Sequence, residues 1–591
     1  MSLTQRTVHE TQFVSHDGAP LFYRHWPASG ATSRGAIILL HRGHEHSGRM
    51  AHLVDELDLP DFDFFAWDAR GHGRSPGERG FSPSFMHSVA DLEAFSRHIH
   101  AQHGFAAQDT AVVAQSVGAV IAATWVHDYA PPLRAQVLAS PAFSVKLYVP
   151  LARPGLALMH KVLGDFKVTS YVKARYLTHD QARAASYDTD PLITRPISVN
   201  VLQGLYDAAE RVVADAAAIH VPTQLFISGD DWVVRHAPQH AFFDALGSAT
   251  KLCRVLPGFR HDTLGERDRA PVVAEIRDFV LARFAAVPEV PDLRDAHERG
   301  HTFDEYQRLC AAPGLLAGAV FASMRVAMRT LGRLSTGMRL GLRTGFDSGS
   351  TLDYVYRNKP SGWLGLGWLT DRNYLNAIGW RGIRQRKLHL EAAIARAADA
   401  LHAAGQPLHL LDVAAGHGRY ILDSIARLPI APASIRLRDY SPINLSDGKA
   451  LIAERGVGRI ARFEQADAFD PASYASLYPA PTVAVVSGLY ELFPDNTPVR
   501  RSLGALGAAV APGGYLIYTG QPWHPQLELI ARTLSSHRDG EPWVMRRRTQ
   551  AELDQLVAEA GFEKIAQSID RWGIFTVSIA RRRAATHAAA A

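Results

Sequence analysis

Cysteine is scarce: Cys253 and Cys310 are the only two in 591 residues. So few thiols exclude a disulfide framework and a cysteine-built metal site, and they fit a reducing compartment. No stretch reaches the roughly 18 uninterrupted apolar residues of a membrane span, and the opening MSLTQRTVHE lacks the apolar core of a signal peptide. A cytoplasmic chain is therefore expected. Charge of one sign is also missing. The net charge is only +5 and no Lys/Arg run resembles a nucleic-acid groove, so nucleic acid is not an expected partner. There is no G-x-x-x-x-G-K-[ST] phosphate loop and no internal repeat. His41, His44 and His46 stand close together, but no H-x-H-x-D-H pattern follows, so no metal is expected.

What is present is ample core material, 47% hydrophobic against 20% charged, in a chain too long for one core. Apolar runs at 35–41, 62–68, 110–116, 135–140, 223–229 and 250–256 alternate with helical patterns. That alternation predicts an α/β unit with a mostly parallel sheet covered on both faces. The gap after 135–140 exceeds one crossover, so an insertion is expected over about 144–215. A second alternation begins at HLLDVAAG (409–416) and continues through 434–440, 461–467, 482–488, 513–520 and 575–581. The alanine-rich tail after Arg583 is expected to fray.

In TAVVAQSVGAVIAATW (110–125), Ser116 stands between the end of a strand and the start of a helix. A helix N-cap would account for a serine there. A nucleophile on a sharp strand-to-helix turn also needs small residues two before and two after it, and Ala114 and Gly118 meet that need. Asp230 and Asp231 follow one later strand and His261 follows the next. Ser116, Asp231 and His261 thus occur in the chain order of an α/β-hydrolase triad.

The segments LLHRGHEHSGR (39–49), DARGHGRSPGERG (68–80), AQSVG and DDWVV resemble serine hydrolases of the monoacylglycerol lipase and lysophospholipase group, over about residues 10–285. The resemblance implies Ser116 as nucleophile, His261 as general base and Asp231, aligned on the following VV, as its orienting acid. It implies an oxyanion hole from the backbone N–H groups of Gly43 and Val117. Where the group has Gly, this chain has Arg42, a side chain expected to crowd or charge the mouth. His72 and Arg74 are read as turn residues.

In the second alternation, LLDVAAGHGRY (410–420) places a glycine-rich turn after a strand, and Asp439 ends the next strand, where a carboxylate can hold ribose hydroxyls. The pattern resembles class I S-adenosylmethionine-dependent methyltransferases over about residues 385–581. By that resemblance Asp412, Ala414, Gly416 and Gly418 line the methionine and ribose side of S-adenosylmethionine, Asp439 binds the ribose, and Asp467 with Ala468 meets the adenine. A nicotinamide-binding Rossmann domain is the alternative, and the missing G-x-G-x-x-G argues against it. The acceptor is open: SGLYELFPD (487–495) has no D-P-P-Y type sequence, so a small molecule or lipid is expected, with Tyr490, Glu491 and His524 as candidates to orient or deprotonate it.

Residues 315–343 carry Arg325, Arg329 and Arg333 at i, i+4 spacing, a basic amphipathic helix fit for an interdomain contact or for peripheral contact with the inner face of a membrane. The aromatic, glycine-rich stretch 346–375 is expected to close over the second pocket. The order of parts resembles a bacterial fusion of α/β-hydrolase and class I methyltransferase. The expected fold class is α/β in two domains: an α/β-hydrolase with cap insertion (1–285, cap about 144–215), a linker (286–345), then a Rossmann-like class I methyltransferase fold (346–591). The expected function is bifunctional, a serine ester hydrolase acting on a small-molecule or lipid ester joined to a methyltransferase; the alternative is one catalytic half beside a binding or regulatory module.

Overall fold

The six apolar runs of the first alternation all become strands of one sheet. The computed structural model describes residues 6–30, 32–149, 151–288 and 290–583, so the tail after Arg583 lies outside it. In chain order the first strands are β1 (His9–Val14), β2 (Pro20–Trp26), β3 (Gly35–Leu40), β4 (Phe62–Trp67), β5 (Thr110–Gln115) and β6 (Ala135–Ala139). A short antiparallel pair, β7 (Lys167–Thr169) and β8 (Pro196–Ser198), lies in the insertion, and β9 (Thr223–Ser228) and β10 (Lys251–Leu256) complete the set. The eight-stranded sheet runs β1-β2-β4-β3-β5-β6-β9-β10, parallel from β4 to β10 and antiparallel at β1 and β2. Every residue of β3, β4, β5 and β6 is buried, as continuous apolar runs in a parallel sheet covered on both faces require. β1 buries Phe13 alone, which is why HETQFV gives no strand signal.

The insertion between β6 and β9 holds helices Ala152–Leu163, Gln181–Thr189 and Val199–Ala214 as well as the β7–β8 pair. Helix Ala152–Leu163 buries none of its residues, and Leu158, Val162 and Leu163 face outward.

The chain divides into two compact units, residues 1–291 and 292–591. The second unit has a seven-stranded sheet. Its strands are β11 (His409–Val413), β12 (Ser434–Asp439), β13 (Ala461–Gln465), β14 (Val483–Val486), β15 (Tyr515–Gly520), β16 (Phe562–Ile569) and β17 (Thr576–Arg582). The order is β13-β12-β11-β14-β15-β17-β16, with only β17 antiparallel to β15 and β16. β16, FEKIAQSI, carries too many polar residues to show as an apolar run.

From Asp292 onward the segment expected as a linker belongs to this second unit. Helix His301–Cys310 sets Leu309 against Leu527, Ile530 and Met545. The basic amphipathic stretch is broken in two. Helix Leu315–Thr330 ends in a tight turn at Leu331–Leu334, and Thr336–Thr344 restarts with Ser335 accepting a hydrogen bond from the Met338 N–H.

Candidate active site

β5 ends at Gln115 and a helix begins at Val117, so Ser116 must turn the chain alone. Its φ of 55° and ψ of −115° are a strained conformation for a residue with a Cβ. Neighbours hold it there: the Ser116 N–H donates to Ala139 O at 2.9 Å, and the Ser116 carbonyl accepts from Val120 and Ala142 at 3.2 Å each. Gly118 is pressed against the end of β3, where a Cβ would stand 2.5 Å from His41 O and 2.9 Å from Leu40 O. Ala114, fully buried beside Leu40, shows that the position two before the serine has room for a methyl.

The loops after β9 and β10 bring Asp231 and His261 to this turn. Ser116 Oγ lies 2.7 Å from His261 Nε2, and His261 Nδ1 lies 2.8 Å from Asp231 Oδ2. The other Asp231 oxygen accepts from the N–H groups of Val233 (2.7 Å) and Val234 (3.0 Å). Burial pushes the Asp231 carboxyl up, but His261 and these two N–H groups outweigh it and hold the carboxyl below its usual range. Asp230 is exposed.

Gly43 and Val117 meet beside the serine: a Cβ on Gly43 would be 3.0 Å from Val117 Cγ2. Both line, with Ser116 and His261, a cavity of about 320 Å³ whose far wall includes Leu156, Val168 and Leu202 from the insertion. Arg42 lines this cavity too, next to Gly43. Its guanidinium turns inward, only 4% exposed, donating to Glu45 at 2.7 Å and lying over the Tyr187 ring. His41 is bonded to Arg42 O and to the Ala69 N–H, His44 to Thr194 O, and His46 to Asp190 and the Gly48 N–H. Among the described residues, His16, Asp17 and His87 alone could group three metal-competent atoms, and Arg70 already donates to Asp17 at 3.0 Å.

Three residues around the imidazole loop gave no signal in the sequence. Asp262, fully buried, receives Gln115 Nε2 at 2.9 Å and Arg183 Nε at 2.5 Å. Burial opposes its ionisation, yet Arg183 and Arg42 hold its carboxyl far below the usual range. Gln115 closes the loop from below by accepting from the Leu264 N–H at 3.1 Å.

In the second unit the chain leaves β11 through Ala414, Gly416 and Gly418 at φ of 57°, 58° and 72°. A Cβ on Gly418 would run into Leu437. The Gly416 N–H donates to Asp439 Oδ2 at 2.9 Å; Asp439 Oδ1 accepts from the Ser441 N–H (2.9 Å) and Asn444 Nδ2 (3.0 Å). Asp412 is buried with Oδ1 bonded to the Tyr420 hydroxyl and Oδ2 without a partner, and burial pushes its carboxyl well above the usual range. Asp467 is exposed after β13, where it accepts from the Phe469 N–H at 2.9 Å, and Ala468 O accepts from the Tyr474 hydroxyl at 2.9 Å. Helix Gly349–Arg357 lies on the glycine turn: Gly349 Cα is 3.5 Å from where a Gly416 Cβ would stand, and Ser350 Oγ is 3.3 Å from His417 Nε2.

A cavity of about 210 Å³ opens beside Gly488, which follows β14. Its walls are apolar, with Met324, Met328, Trp380, Ile383 and Trp543 among them, and Glu491 and His524 also line it. Neither carboxylate oxygen of the buried Glu491 has a hydrogen-bond partner, nor does Arg386 Nε or Gln521 Nε2. Burial pushes the Glu491 carboxyl up, against the pull of Arg386 and Arg548. Tyr490 is not in this wall; its hydroxyl is 3.1 Å from Ser502 Oγ.

These geometries define two classes of domain, an α/β-hydrolase with a nucleophile turn and a Rossmann-like methyltransferase. A family model described as "Putative methyltransferase" matches residues 276–582, and one described as "Serine aminopeptidase, S33" matches 31–268. The chain belongs to the first family, and its N-terminal half is a monoglyceride lipase-like hydrolase domain. It is 54% identical, over 97% of its length and 98% of the other's, to "Uncharacterized protein YnbC" of Escherichia coli K12. The N-terminal half is 26% identical to the monoacylglycerol lipase of Mycolicibacterium smegmatis, over 47% of this chain and 99% of that one. A solved structure of a soluble variant of Saccharomyces cerevisiae monoglyceride lipase matches with 20% identity and a TM-score of 0.43, covering 48% of this chain and 97% of that one.

Proposed function

We propose that the first unit is a serine ester hydrolase and the second an S-adenosylmethionine-dependent methyltransferase. The observation that carries the first is the continuous Ser116–His261–Asp231 chain at 2.7 and 2.8 Å on a strained turn. Ser116 Oγ attacks the ester carbonyl while its proton passes to His261 Nε2, which returns it to the departing alcohol; water activated by the same nitrogen then releases the acyl group. Asp231 fixes the imidazole tautomer, and the N–H groups of Gly43 and Val117 receive the developing oxyanion. A largely apolar cavity walled in part by Leu156, from a helix that turns Leu158, Val162 and Leu163 outward, supports an acylglycerol or lysophospholipid as substrate. A fluorophosphonate label on the wild type that is lost in Ser116→Ala is the expected result; no labelling of folded wild type would make this unit a binding module.

The residues of the second unit fit S-adenosylmethionine. Gly416 and Gly418 keep side chains out of a turn, and Asp439 presents a carboxylate at the strand end. When bound, the cofactor supplies an electrophilic methyl group. Asp439 holds the ribose, Asp412, Ala414, Gly416 and Gly418 line the methionine and ribose side, and Asp467 with Ala468 borders the adenine. Glu491, with two unpartnered oxygens in an apolar wall, orients the acceptor and takes its proton, which favours an amphiphilic small molecule or lipid. Mass spectrometry of a bacterial lipid extract incubated with the protein, with and without S-adenosylmethionine, tests both halves. Ester loss needing Ser116, and a methylated lipid needing cofactor and Glu491, are expected. Unchanged lipids in every arm would move the search to soluble esters and acceptors.

A further inference from the structure

From Leu315 to Phe346 the chain carries five arginines and no aspartate or glutamate. Helix Leu315–Thr330 rests on the second unit by one face, where Phe321, Ala322 and Met328 are half-buried and Arg325 Nη1 donates to Arg532 O at 2.7 Å. The opposite face is bare. Leu315 is 96% exposed, Leu316 87% and Leu331 66%, with Val320 and Val326 between them.

Residues Leu315–Leu334 have the length and mean hydropathy of a membrane span, yet only 6% of that window is buried. The Arg325 tether along the domain, and the tight turn at Leu331–Leu334, make this a helix that lies along a surface rather than one that crosses it. A second apolar element adjoins it: the Trp363 N–H donates to Leu334 O at 3.1 Å, and Trp363, Leu366 and Trp368 are exposed. Bare leucines and tryptophans in such number need a cover.

At the foot of these elements Arg333, Arg339, Arg343 and Arg357 line one cavity of about 760 Å³ with Tyr354 and Ser361. Among the described residues only Arg357 of the four has a carboxylate partner, Asp353 at 3.1 Å; Arg339 donates to Thr336 Oγ1 at 3.3 Å. Planar guanidinium forks facing one cavity suit phosphate oxygens.

We infer that this face docks on an anionic bilayer, with the arginine cavity taking phospholipid phosphates while Leu315, Leu316, Val320, Leu331 and Trp363 enter the acyl boundary. A free phosphate would explain the arginines but leave the apolar rim uncovered, and a neutral bilayer would leave the arginines unmatched. The two features adjoin, which is the pattern of an anionic headgroup layer above hydrocarbon. The inference stands apart from the proposed catalytic roles, since none of these residues serves them.

Flotation of the full chain with vesicles of phosphatidylcholine, alone or mixed with phosphatidylglycerol, at low and high salt, tests it. Binding only to the mixed vesicles, weakened by salt, is expected. Each arginine near the surface is worth roughly fivefold in partitioning, so Arg333→Gln/Arg339→Gln/Arg343→Gln should lose about a hundredfold. Leu316→Asp with Leu331→Asp should abolish binding at either salt level. Unchanged far-UV circular dichroism and melting show that the variants fold. Equal binding to both vesicle types, or a triple variant that floats like wild type, overturns the inference. So does calorimetry in which inorganic phosphate binds wild type but not the triple variant while no vesicle binds, because the cavity is then a free-phosphate site.

Discussion

Arg183, in the insertion over the first sheet, donates Nε to Asp262 Oδ2 at 2.5 Å, and Asp262 is the residue after His261. The same guanidinium donates to Arg49 O at 3.1 Å, so one cap side chain clamps the imidazole loop to the body of the unit. Arg183→Ala would leave a buried carboxylate with Arg42 Nε at 3.9 Å as its nearest cation. A loss of about 3–5 kcal/mol in stability is expected, read by chemical denaturation. Adding Asp262→Asn removes the stranded charge and should recover part of it; a double variant no more stable than Arg183→Ala would show that the pair does not couple.

Gly118→Ala should be more damaging than its size suggests. The new methyl meets the carbonyl oxygens of His41 and Leu40 at 2.5 and 2.9 Å, which are backbone atoms that cannot rotate away. Moving them shifts the start of the helix at Val117, and with it the N–H assigned to the oxyanion. Ester hydrolysis should fall about 100-fold or more, as for loss of an oxyanion donor, with a melting-temperature drop matching about 1–3 kcal/mol. Near-wild-type turnover would sink the oxyanion assignment of Val117.

Asp439→Ala removes the group that joins Gly416 to the end of β12. Calorimetric affinity for S-adenosylmethionine should fall at least about tenfold, the scale of one lost charge-assisted hydrogen bond. Asn444→Ala, which takes only one donor from the same carboxylate, should cost less. A wild type that prefers NAD to S-adenosylmethionine would replace the cofactor altogether.

His524 supplies a pH dependence. Burial lowers it to about 4, so below about pH 6.5 the unfolded chain takes up a proton that the folded chain refuses. Its stabilising contribution is complete above about pH 6.5 and is lost as pH falls toward 4, by up to about 3 kcal/mol. His524→Asn keeps an acceptor for the Gln526 N–H and should lessen the fall of the second unit's melting temperature across that window, His409 and His417, also lowered by burial, keeping part of it. Parallel curves for wild type and variant would refute it.

Both sheets were readable because buried parallel strands are unbroken apolar runs, as in GAIILL and TAVVAQ. Three strands were not: β1 and β16 expose or half-expose most of their residues and so carry polar ones, and in β2 Arg24 and His25 interrupt the apolar run of a largely buried strand. Ser116, Asp231 and His261 could be collected from their positions after successive strands. Arg183 could not: it stands 79 positions from Asp262 on an insertion whose path no periodicity gives. The inward turn of Arg42 was only partly visible: Glu45 stands three positions away, but Tyr187 meets the guanidinium only once the cap has folded.

Ala414 leaves β11 at φ of 57°, a conformation that costs a residue with a Cβ roughly 1–2 kcal/mol. Ala414→Gly should therefore be neutral or stabilising in the melt of the second unit, a sign opposite to that expected for a helix interior.

The acid-free stretch from Leu315 to Phe346 holds as many positive charges as the whole chain has in excess, so the remainder of the molecule is electroneutral. One stretch of the second unit therefore accounts for the chain's whole formal excess of positive charge. Replacing its arginines by glutamine should shorten retention on a cation exchanger more than the same number of replacements among arginines already paired with carboxylates.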